Sequence, residues 1–148
     1  MIDLKFKRVH PSAVIPKYQS DGAACADLHA VFEGPFDYTY VHPGQTEVIQ
    51  TGLVGQVPVG YELQIRSRSG MATQGVIVAN GVGCIDSDYR GVIGVILHNC
   101  SPNVVKITQG DRIAQCCLSA VPRINFVEVD EVDETDRGDG AYGSTGNR

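Results

Sequence analysis

Long apolar runs are missing from the 148-residue sequence, which nowhere approaches 18 consecutive apolar residues. A membrane-spanning helix needs a run of about that length, so none is expected. The first segment, MIDLKFKRVHP, also lacks the apolar stretch that a secretory signal peptide contains. These absences predict a soluble, intracellular, cytoplasmic protein with no membrane partner.

Paired cysteine motifs are also absent, because no two of the five cysteines are spaced as C-x-x-C. Their number is odd, and Cys116 and Cys117 are adjacent. This pattern indicates neither a zinc site nor a disulfide framework. We expect free thiols in a reducing compartment.

Positive charge is scarce, and the formal net charge is −5. Proteins that bind long nucleic acids need a surplus of Lys and Arg against the phosphates, so this class of partner is not expected. Most arginines nevertheless stand beside Gly, Ser or Asp, and a guanidinium suits phosphate and carboxylate groups. A small anionic ligand is therefore the more natural partner.

No window of the sequence carries a convincing helical stripe of apolar residues, and one helical turn is predicted at 70–74. Short apolar or alternating segments predict strands instead, with Gly, Pro, Asn or Asp between them. These segments are 4–9, 38–41, 46–50, 61–65, 75–79, 91–97, 103–107, 112–118 and 125–129. The pattern predicts one all-β domain, a sandwich, jelly roll or barrel, over residues 1–136. The Gly-rich residues 137–148 are predicted to be a flexible tail.

Walker A, H-E-x-x-H and Ser-His-Asp patterns are not visible, so candidate chemistry depends on four less familiar segments. In IRSRSGMA (65–72), a predicted strand is followed directly by Arg, Ser, Arg, Ser and Gly. The segment could be a solvated turn. It could also bind an anion through Arg68, Ser69 and the backbone N–H groups at Gly70.

The segment NGVGCIDSDYRGVIG (80–94) is most simply a hairpin turn, since Asp and Gly supply the backbone geometry. Asp86 follows an apolar run, and partial desolvation there would suit a general base. Tyr89 could offer its ring to a sugar or base, or pack across strands.

Two further segments are weaker signals. In GDRIAQ (110–115), Gln115 would face the interior and need hydrogen-bond partners there. In GAACADLH (22–29), Asp27 could form a turn or serve as an outer-shell ligand of a hard cation.

Taken in order, AACADL, RSRSGMA, NGVGCIDSDYRG, GDRIAQ and RGDGAYGSTG resemble the five motifs of the trimeric dUTPase family, over residues 23–146. The resemblance implies a jelly-roll-like β-barrel or sandwich assembled as a homotrimer, with active sites at subunit interfaces. It also implies hydrolysis of dUTP to dUMP and pyrophosphate with Mg²⁺ on the triphosphate. Such an activity limits uracil incorporation into DNA and supplies dUMP for thymidylate synthesis.

The resemblance also assigns roles to residues. It implies that Asp86 is the base that activates water for attack on the α-phosphorus, and that Asp27 holds the metal through water. Uracil would be bound by Asn80 and the backbone of Gly83 and Ile85, with Tyr89 under the deoxyribose. The implied phosphate ligands are Arg68, Ser69, Gly70 and Gln115. From the tail, the resemblance implies substrate contacts by Arg137, Tyr142, Gly143, Ser144 and Thr145, with Tyr142 stacked over uracil.

The sequence departs from the usual family motifs at several positions. Cys25 and Ala26 stand where Gly-Tyr is common, and Ser67, Met71 and Tyr142 replace Pro, Leu and Phe. Two other functions remain open. One is a related dCTP deaminase, whose catalytic Glu has no matching residue here, because Glu62 is the only glutamate between positions 48 and 127. The other is a nucleotide-gated regulatory protein that uses the acidic run 128–136 as a binding surface.

Overall fold

Antiparallel strands build almost the whole molecule. The structure, a computed structural model, describes residues 2–141. Within that range the elements are β1 (Lys5–Arg8), β2 (Ala26–His29), β3 (Tyr38–Val41), β4 (Thr46–Gln56), β5 (Tyr61–Arg66), α1 (Ser69–Ala72), β6 (Val76–Val78), β7 (Val82–Ile85), β8 (Val92–Asn99), β9 (Val105–Thr108) and β10 (Arg112–Ala120). The predicted all-β fold class is confirmed.

Two four-stranded sheets carry the fold. One has the strand order β1-β4-β8-β6 and the other β2-β10-β5-β7, while β3 and β9 form a two-stranded sheet. The pairings are antiparallel throughout. Strands that follow one another in the chain are therefore often in different sheets, as expected of a jelly-roll-like sandwich.

The core lies between the inner faces of the sheets, because side chains alternate along each strand. In β8, Ile93, Val95 and Leu97 are buried, whereas Gly94 and Ile96 between them are only half-buried. The largest apolar side chains that are fully buried are Leu28, Leu53, Ile93, Leu97 and Ile113.

Asn99, the last residue of β8, is polar and buried, and both polar atoms of its side chain have hydrogen-bond partners. Its Nδ2 donates to the carbonyls of Val41 and Asn103, and its Oδ1 accepts from the backbone N–H and the hydroxyl of Ser101. A satisfied buried amide fixes the loop that follows the strand.

Most predicted strands are present, and the differences have physical causes. Strand β4 continues to Gln56 beyond the predicted 46–50, through an irregularity in the pairing between Gln50 and Val54. Gly52 lies in that irregularity with φ of +64°, which an L side chain rarely adopts. Strands β2 and β7 were not predicted, since each has only four residues and one of them is Asp27 in β2 and Gly83 in β7, which leaves little apolar signal.

The strand predicted at 125–129 is wrong for the single chain. Residues 121–130 pair with no strand among the described residues, and Ile124, Phe126 and Val127 are exposed. The apolar pattern that predicted a strand is real, but this chain offers it no partner.

No helix in residues 2–141 is both long and apolar enough to cross a membrane.

Candidate active site

Asp27 lies at the centre of an ion cluster formed by three elements. It is in β2, with an exposed fraction of 9%, and pairs in register with Gln115 of β10. Arg68, two residues after β5, donates from Nε to Asp27 Oδ1 at 2.9 Å. Arg112, at the start of β10, donates from Nη1 to Oδ2 at 3.3 Å. One buried carboxylate therefore orients two guanidinium groups.

Arg68 is held in a second way, because its Nη1 donates to the carbonyl of Arg112 at 2.9 Å. Its side chain remains one quarter exposed. A guanidinium has five N–H donors, so those not used here can reach a ligand. A planar fork fixed on one edge is well suited to bind phosphate oxygens on the other.

The loop between β5 and α1 is fixed to two neighbouring strands. Gln115 is half-buried, and its Nε2 donates to the carbonyl of Ser67 at 3.0 Å, which gives the amide the partner that its position requires. Ser67 Oγ accepts from the backbone N–H of Val78 at 2.8 Å. Ser69 and Gly70 are exposed and begin α1, where first-turn N–H groups have no acceptor within the helix. We call Asp27, Arg68, Ser69, Gly70 and Gln115 the phosphate cluster.

A small cavity of about 150 Å³ lies beside β7. The cavity is lined by Asn80, Gly83 and Ile85, the three residues predicted to bind uracil. This is the arrangement expected if they contact one ligand together. A Cβ at Gly83 would lie 3.3 Å from Asn80 Nδ2 and 3.3 Å from Ile65 Cβ, so glycine permits this close approach. We call this space the base cavity.

Residues 86–91 do not form the predicted hairpin turn. Strand β7 pairs with β5 and strand β8 pairs with β4 and β6, so this segment carries the chain from one sheet to the other. Arg90 Nη1 donates to the carbonyls of Ser87 and Tyr89, at 2.8 and 2.7 Å. These hydrogen bonds stabilise a corner, the connection between the two sheets, and do not pair two strands.

Tyr89 lies against its own corner rather than across a strand. Its hydroxyl donates to the carbonyl of Val92 at 3.1 Å, and a Cβ at Gly91 would collide with its ring. Tyr89 as a whole residue is 42% exposed, which leaves it available to a ligand.

Asp86 does not have the desolvated surroundings that its place in the sequence predicted. It is exposed in the single chain and lines an open cleft with Glu62 and Asp88. The physical reason is the corner, which takes Asp86 out of the sheet as soon as β7 ends.

Asp86 and the phosphate cluster lie far apart in one chain. Leu63 pairs with Ile85 and Arg66 with Val82, so continuing the register places Asp86 opposite Glu62. Arg68 lies beyond the other end of β5. The four residue-to-residue steps from Glu62 to Arg66 span about 13 Å, which is longer than the separation between adjacent phosphates.

The residues of the site fit a magnesium ion that is held mainly by phosphate oxygens and water. Within residues 2–141 no group of three or more His, Cys, Asp or Glu side chains could enclose a metal. Mg²⁺ commonly binds one or two carboxylates together with substrate phosphates and several waters. Asp27 offers such a carboxylate, since two oxygens can accept about four hydrogen bonds and the arginines use two.

Comparison with known proteins identifies the family. The dUTPase family model matches residues 12–146. The chain belongs to the dUTPase family. This membership confirms the resemblance drawn from the five motifs.

Curated relatives match over nearly the whole chain. A deoxyuridine 5'-triphosphate nucleotidohydrolase of Picosynechococcus sp. is 46% identical over 97% of this chain and 98% of its own. The enzyme of the same name from Helicobacter pylori is 44% identical over 97% of this chain and 96% of its own. Among solved structures, a mutant Staphylococcus bacteriophage 80alpha dUTPase with dUpNHpp is similar with a TM-score of 0.85, at 21% identity and 99% coverage of both chains.

Like the contact between Arg68 and Asp27, the contacts of Arg112 and Ser67 in the candidate site were not predicted from the sequence. The sequence did not predict that Arg112 donates a hydrogen bond to Asp27, or that Ser67 accepts one from the backbone of Val78. The signal for the first is a pair of opposite charges on neighbouring strands, but it depends on β2, which the sequence did not predict.

The tail residues of the dUTPase motif are only partly described. Arg137 is exposed, and its Nε donates to the carbonyl of Gly140 at 2.9 Å. Tyr142, Gly143, Ser144 and Thr145 lie outside the described residues, so their predicted substrate contacts stay predictions.

Proposed function

We propose that the protein hydrolyses dUTP to dUMP and pyrophosphate. The observation that carries this proposal is the presence of two features in one fold: the Arg68 guanidinium held by Asp27, and a small cavity lined by Asn80, Gly83 and Ile85, the residues just before Asp86 in the chain. Family membership and the names of the curated relatives support the same reaction. In the cell this activity would limit uracil incorporation into DNA and supply dUMP for thymidylate synthesis.

The base cavity would hold uracil. Its lining combines apolar walls with the amide of Asn80 and the backbone of Gly83 and Ile85. A uracil edge presents both donors and acceptors, and backbone N–H and C=O groups are complementary to them. Tyr89 would pack under the deoxyribose, where an additional 2′-hydroxyl would clash with its ring.

The phosphate cluster would bind the triphosphate. Arg68 would donate to phosphate oxygens from the N–H groups that Asp27 and Arg112 leave unused. Ser69 would add its hydroxyl, and the backbone at Gly70 its N–H. Gln115 acts here by holding the Ser67 carbonyl, which sets the path of this loop.

Asp86 would act as the general base. Its carboxylate would remove a proton from a water molecule, which attacks the α-phosphorus in line with the departing pyrophosphate. When bound to the triphosphate, Mg²⁺ supplies charge neutralisation for this displacement. Asp27 would accept hydrogen bonds from waters of the metal shell.

The complete site would be shared between subunits of a homotrimer. In one chain the register separates Asp86 from Arg68 by the length of β5, which supports a site that takes them from different copies. The exposed apolar residues Ile124, Phe126 and Val127 support an interface that covers them. Residues 125–129 would then form their strand against a neighbouring subunit.

The tail would close the site. Residues 137–141 and the segment before them are almost entirely exposed, so the single chain supplies little that could order them. A Gly-rich segment can order when substrate provides the missing contacts. Arg137, Gly143, Ser144 and Thr145 would bind phosphate while Tyr142 stacks on uracil.

The protein would work in a reducing intracellular compartment. Its five free thiols support this location, because such compartments keep cysteines reduced.

Pyrophosphate release from dUTP, dTTP, UTP and dCTP tests the reaction. We expect rapid release from dUTP and at least roughly 100-fold lower kcat/KM for the other three, since each places an extra or altered group in the base cavity or against Tyr89. Ammonia release from dCTP would replace this proposal with the deaminase function. Tight binding of dUTP without pyrophosphate would replace it with the regulatory function.

Mixing two inactive variants tests the shared site. Asp86→Asn and Arg68→Ala each remove one half of every site, but a trimer containing both variants can assemble unaltered sites. Dissociating and reassembling the mixture should restore a fraction of wild-type turnover, whereas each variant alone treated in the same way should stay inactive. Failure to restore turnover in trimers shown by mass spectrometry to be mixed would place both residues in the site of one chain.

A further inference from the structure

Cys25, the residue immediately before β2, lies opposite Cys117 of β10 when the register of the two strands is continued by one residue. Gln115 pairs with Asp27 and Cys116 with Ala26, so the next step of the antiparallel register places Cys117 opposite Cys25. Opposed residues in such a pair have Cα atoms about 4.5 to 5.5 Å apart. Disulfides form over Cα separations of about 4.4 to 6.8 Å. The continued register therefore gives these two residues the backbone spacing that a disulfide needs.

Directly opposed residues of an antiparallel pair have their side chains on the same face of the sheet. Both cysteines are half-buried free thiols, whereas Cys116 between them in β10 is buried in the core. Burial raises the pKa of the Cys25 thiol, and the charge and hydrogen bonding of Cys117 raise it further.

We propose that Cys25 and Cys117 are a redox modification site, at which peroxide forms an intrachain disulfide. One thiolate attacks a peroxide oxygen, the O–O bond breaks, and the products are a cysteine sulfenic acid and hydroxide. The second sulfur attacks the sulfenic sulfur, the S–S bond forms, the S–O bond breaks, and water leaves. In total the two thiols lose two electrons and two protons, and one peroxide becomes two waters. A cellular thiol such as glutathione reverses the reaction by exchange.

The bond would fix the strand that carries the carboxylate of the phosphate cluster. Strand β2 is the edge strand of its sheet, and residues 17–22, which precede Cys25, are exposed. The Cys25–Cys117 pair lies two register steps from the pair formed by Asp27 and Gln115. Oxidation would therefore anchor β2 to β10 close to Asp27.

The other cysteines are not placed to compete. Cys84 lies on β7, and Gln64 of β5 pairs with both Cys84 and Cys117. Two strand spacings amount to about 9.5 Å, which exceeds the reach of a disulfide. Cys100 follows β8 in the other sheet. Both residues are exposed and serve as matched controls.

Peptide mapping tests the proposal directly. The full-length protein is treated with hydrogen peroxide, its remaining thiols are alkylated, and it is digested with trypsin without reductant. We expect one dominant cross-linked product joining residues 18–66 to residues 113–123, with fragment ions that place the bond at Cys117. A bond at Cys116, a dimer band on a non-reducing gel, or sulfinic acid at Cys25 without a cross-link would overturn the proposal.

Variants and melting temperature provide a second test. Cys25→Ser and Cys117→Ser should abolish the cross-linked product, while Cys84→Ser and Cys100→Ser should keep it. At fixed protein concentration, oxidised wild type should melt about 5 °C above the reduced form, because a cross-link restricts the unfolded chain. Dithiothreitol should remove the shift, and Cys25→Ser should show none. An equal shift in Cys25→Ser would contradict the site.

Discussion

Asp27 accepts a hydrogen bond from Arg68 at 2.9 Å, although the two residues are 41 positions apart in the chain. The contact joins an edge strand to the loop after β5, and the second oxygen of Asp27 binds Arg112 in the same way. The carboxylate is thus both a structural link between elements and the group that orients Arg68. Removing its charge should affect folding and substrate binding together.

Asp27→Asn should lower the free energy of unfolding by about 1–2 kcal/mol, because two guanidinium groups lose their charged acceptor. The KM for dUTP should rise about 10-fold, since an unanchored Arg68 loses its orientation toward phosphate. The Mg²⁺ concentration that gives half-maximal rate should also rise. Urea unfolding and steady-state kinetics measure these effects, with the exposed Asp133→Asn as the control for lost charge. An unchanged magnesium requirement would limit Asp27 to holding Arg68.

Asp86→Asn should lower kcat about 1,000-fold while leaving dUTP affinity close to wild type, because the base acts on water and not on the ligand. Single-turnover rates and equilibrium binding of dUTP separate these two quantities. Asp88→Asn is the matched control, as it removes an equally exposed carboxylate from the same corner. Turnover of Asp86→Asn within a few-fold of wild type would assign the base to another residue.

The strands and the candidate site differ in how far they could be predicted. Alternation in YELQI (61–65) and the apolar run at 91–97 identify β5 and β8, because burial of one face requires that pattern. Strand β2 could not be predicted in this way. It is stabilised by pairing with β10 and by the arginines that bind Asp27, and it has no apolar run of its own. Sequence analysis therefore named Asp27 and Arg68 without their contact.

The sheet that each strand joins is the second feature that cannot be predicted from the local sequence. The segment DSDYRG has the composition of a hairpin turn, and only the pairing of β7 with β5 reveals that it is a corner between sheets. The same limit applies to 125–129, whose strand pattern has no partner in its own chain. Both errors arise because pairing partners are set by tertiary and quaternary packing.

Gly91→Ala should weaken discrimination between dUTP and UTP. A Cβ at this position would collide with the ring of Tyr89, whose hydroxyl is bonded to the Val92 carbonyl, so the ring must leave its place. We expect kcat/KM for dUTP to fall about 10-fold and that for UTP to fall less. Parallel assays with both nucleotides give the ratio. Tyr89→Phe, which keeps the ring and loses one hydrogen bond, should change the ratio less than Gly91→Ala does.

Deleting residues 137–148 should leave the fold intact and reduce turnover at least 100-fold. Arg137 bonds only to the nearby Gly140 among the described residues, so little of the folded core depends on this segment. The melting temperature and the oligomeric mass should match those of the full-length protein. Normal turnover by the shortened protein would show that the tail does not close the site.

The stability of the protein without nucleotide or metal should fall as pH decreases below about 6.5, in part because of His29. Burial lowers the pKa of His29 from its usual value of 6.5, and this exceeds the opposing effect of Asp27. Below 6.5 the unfolded chain therefore binds a proton that the folded chain does not, and the free energy of unfolding decreases. His29→Asn should show a smaller loss between about pH 7.5 and about pH 5.5 in urea unfolding, whereas the exposed His42→Asn should behave as wild type does. Equal losses in both variants would assign the pH dependence to other groups.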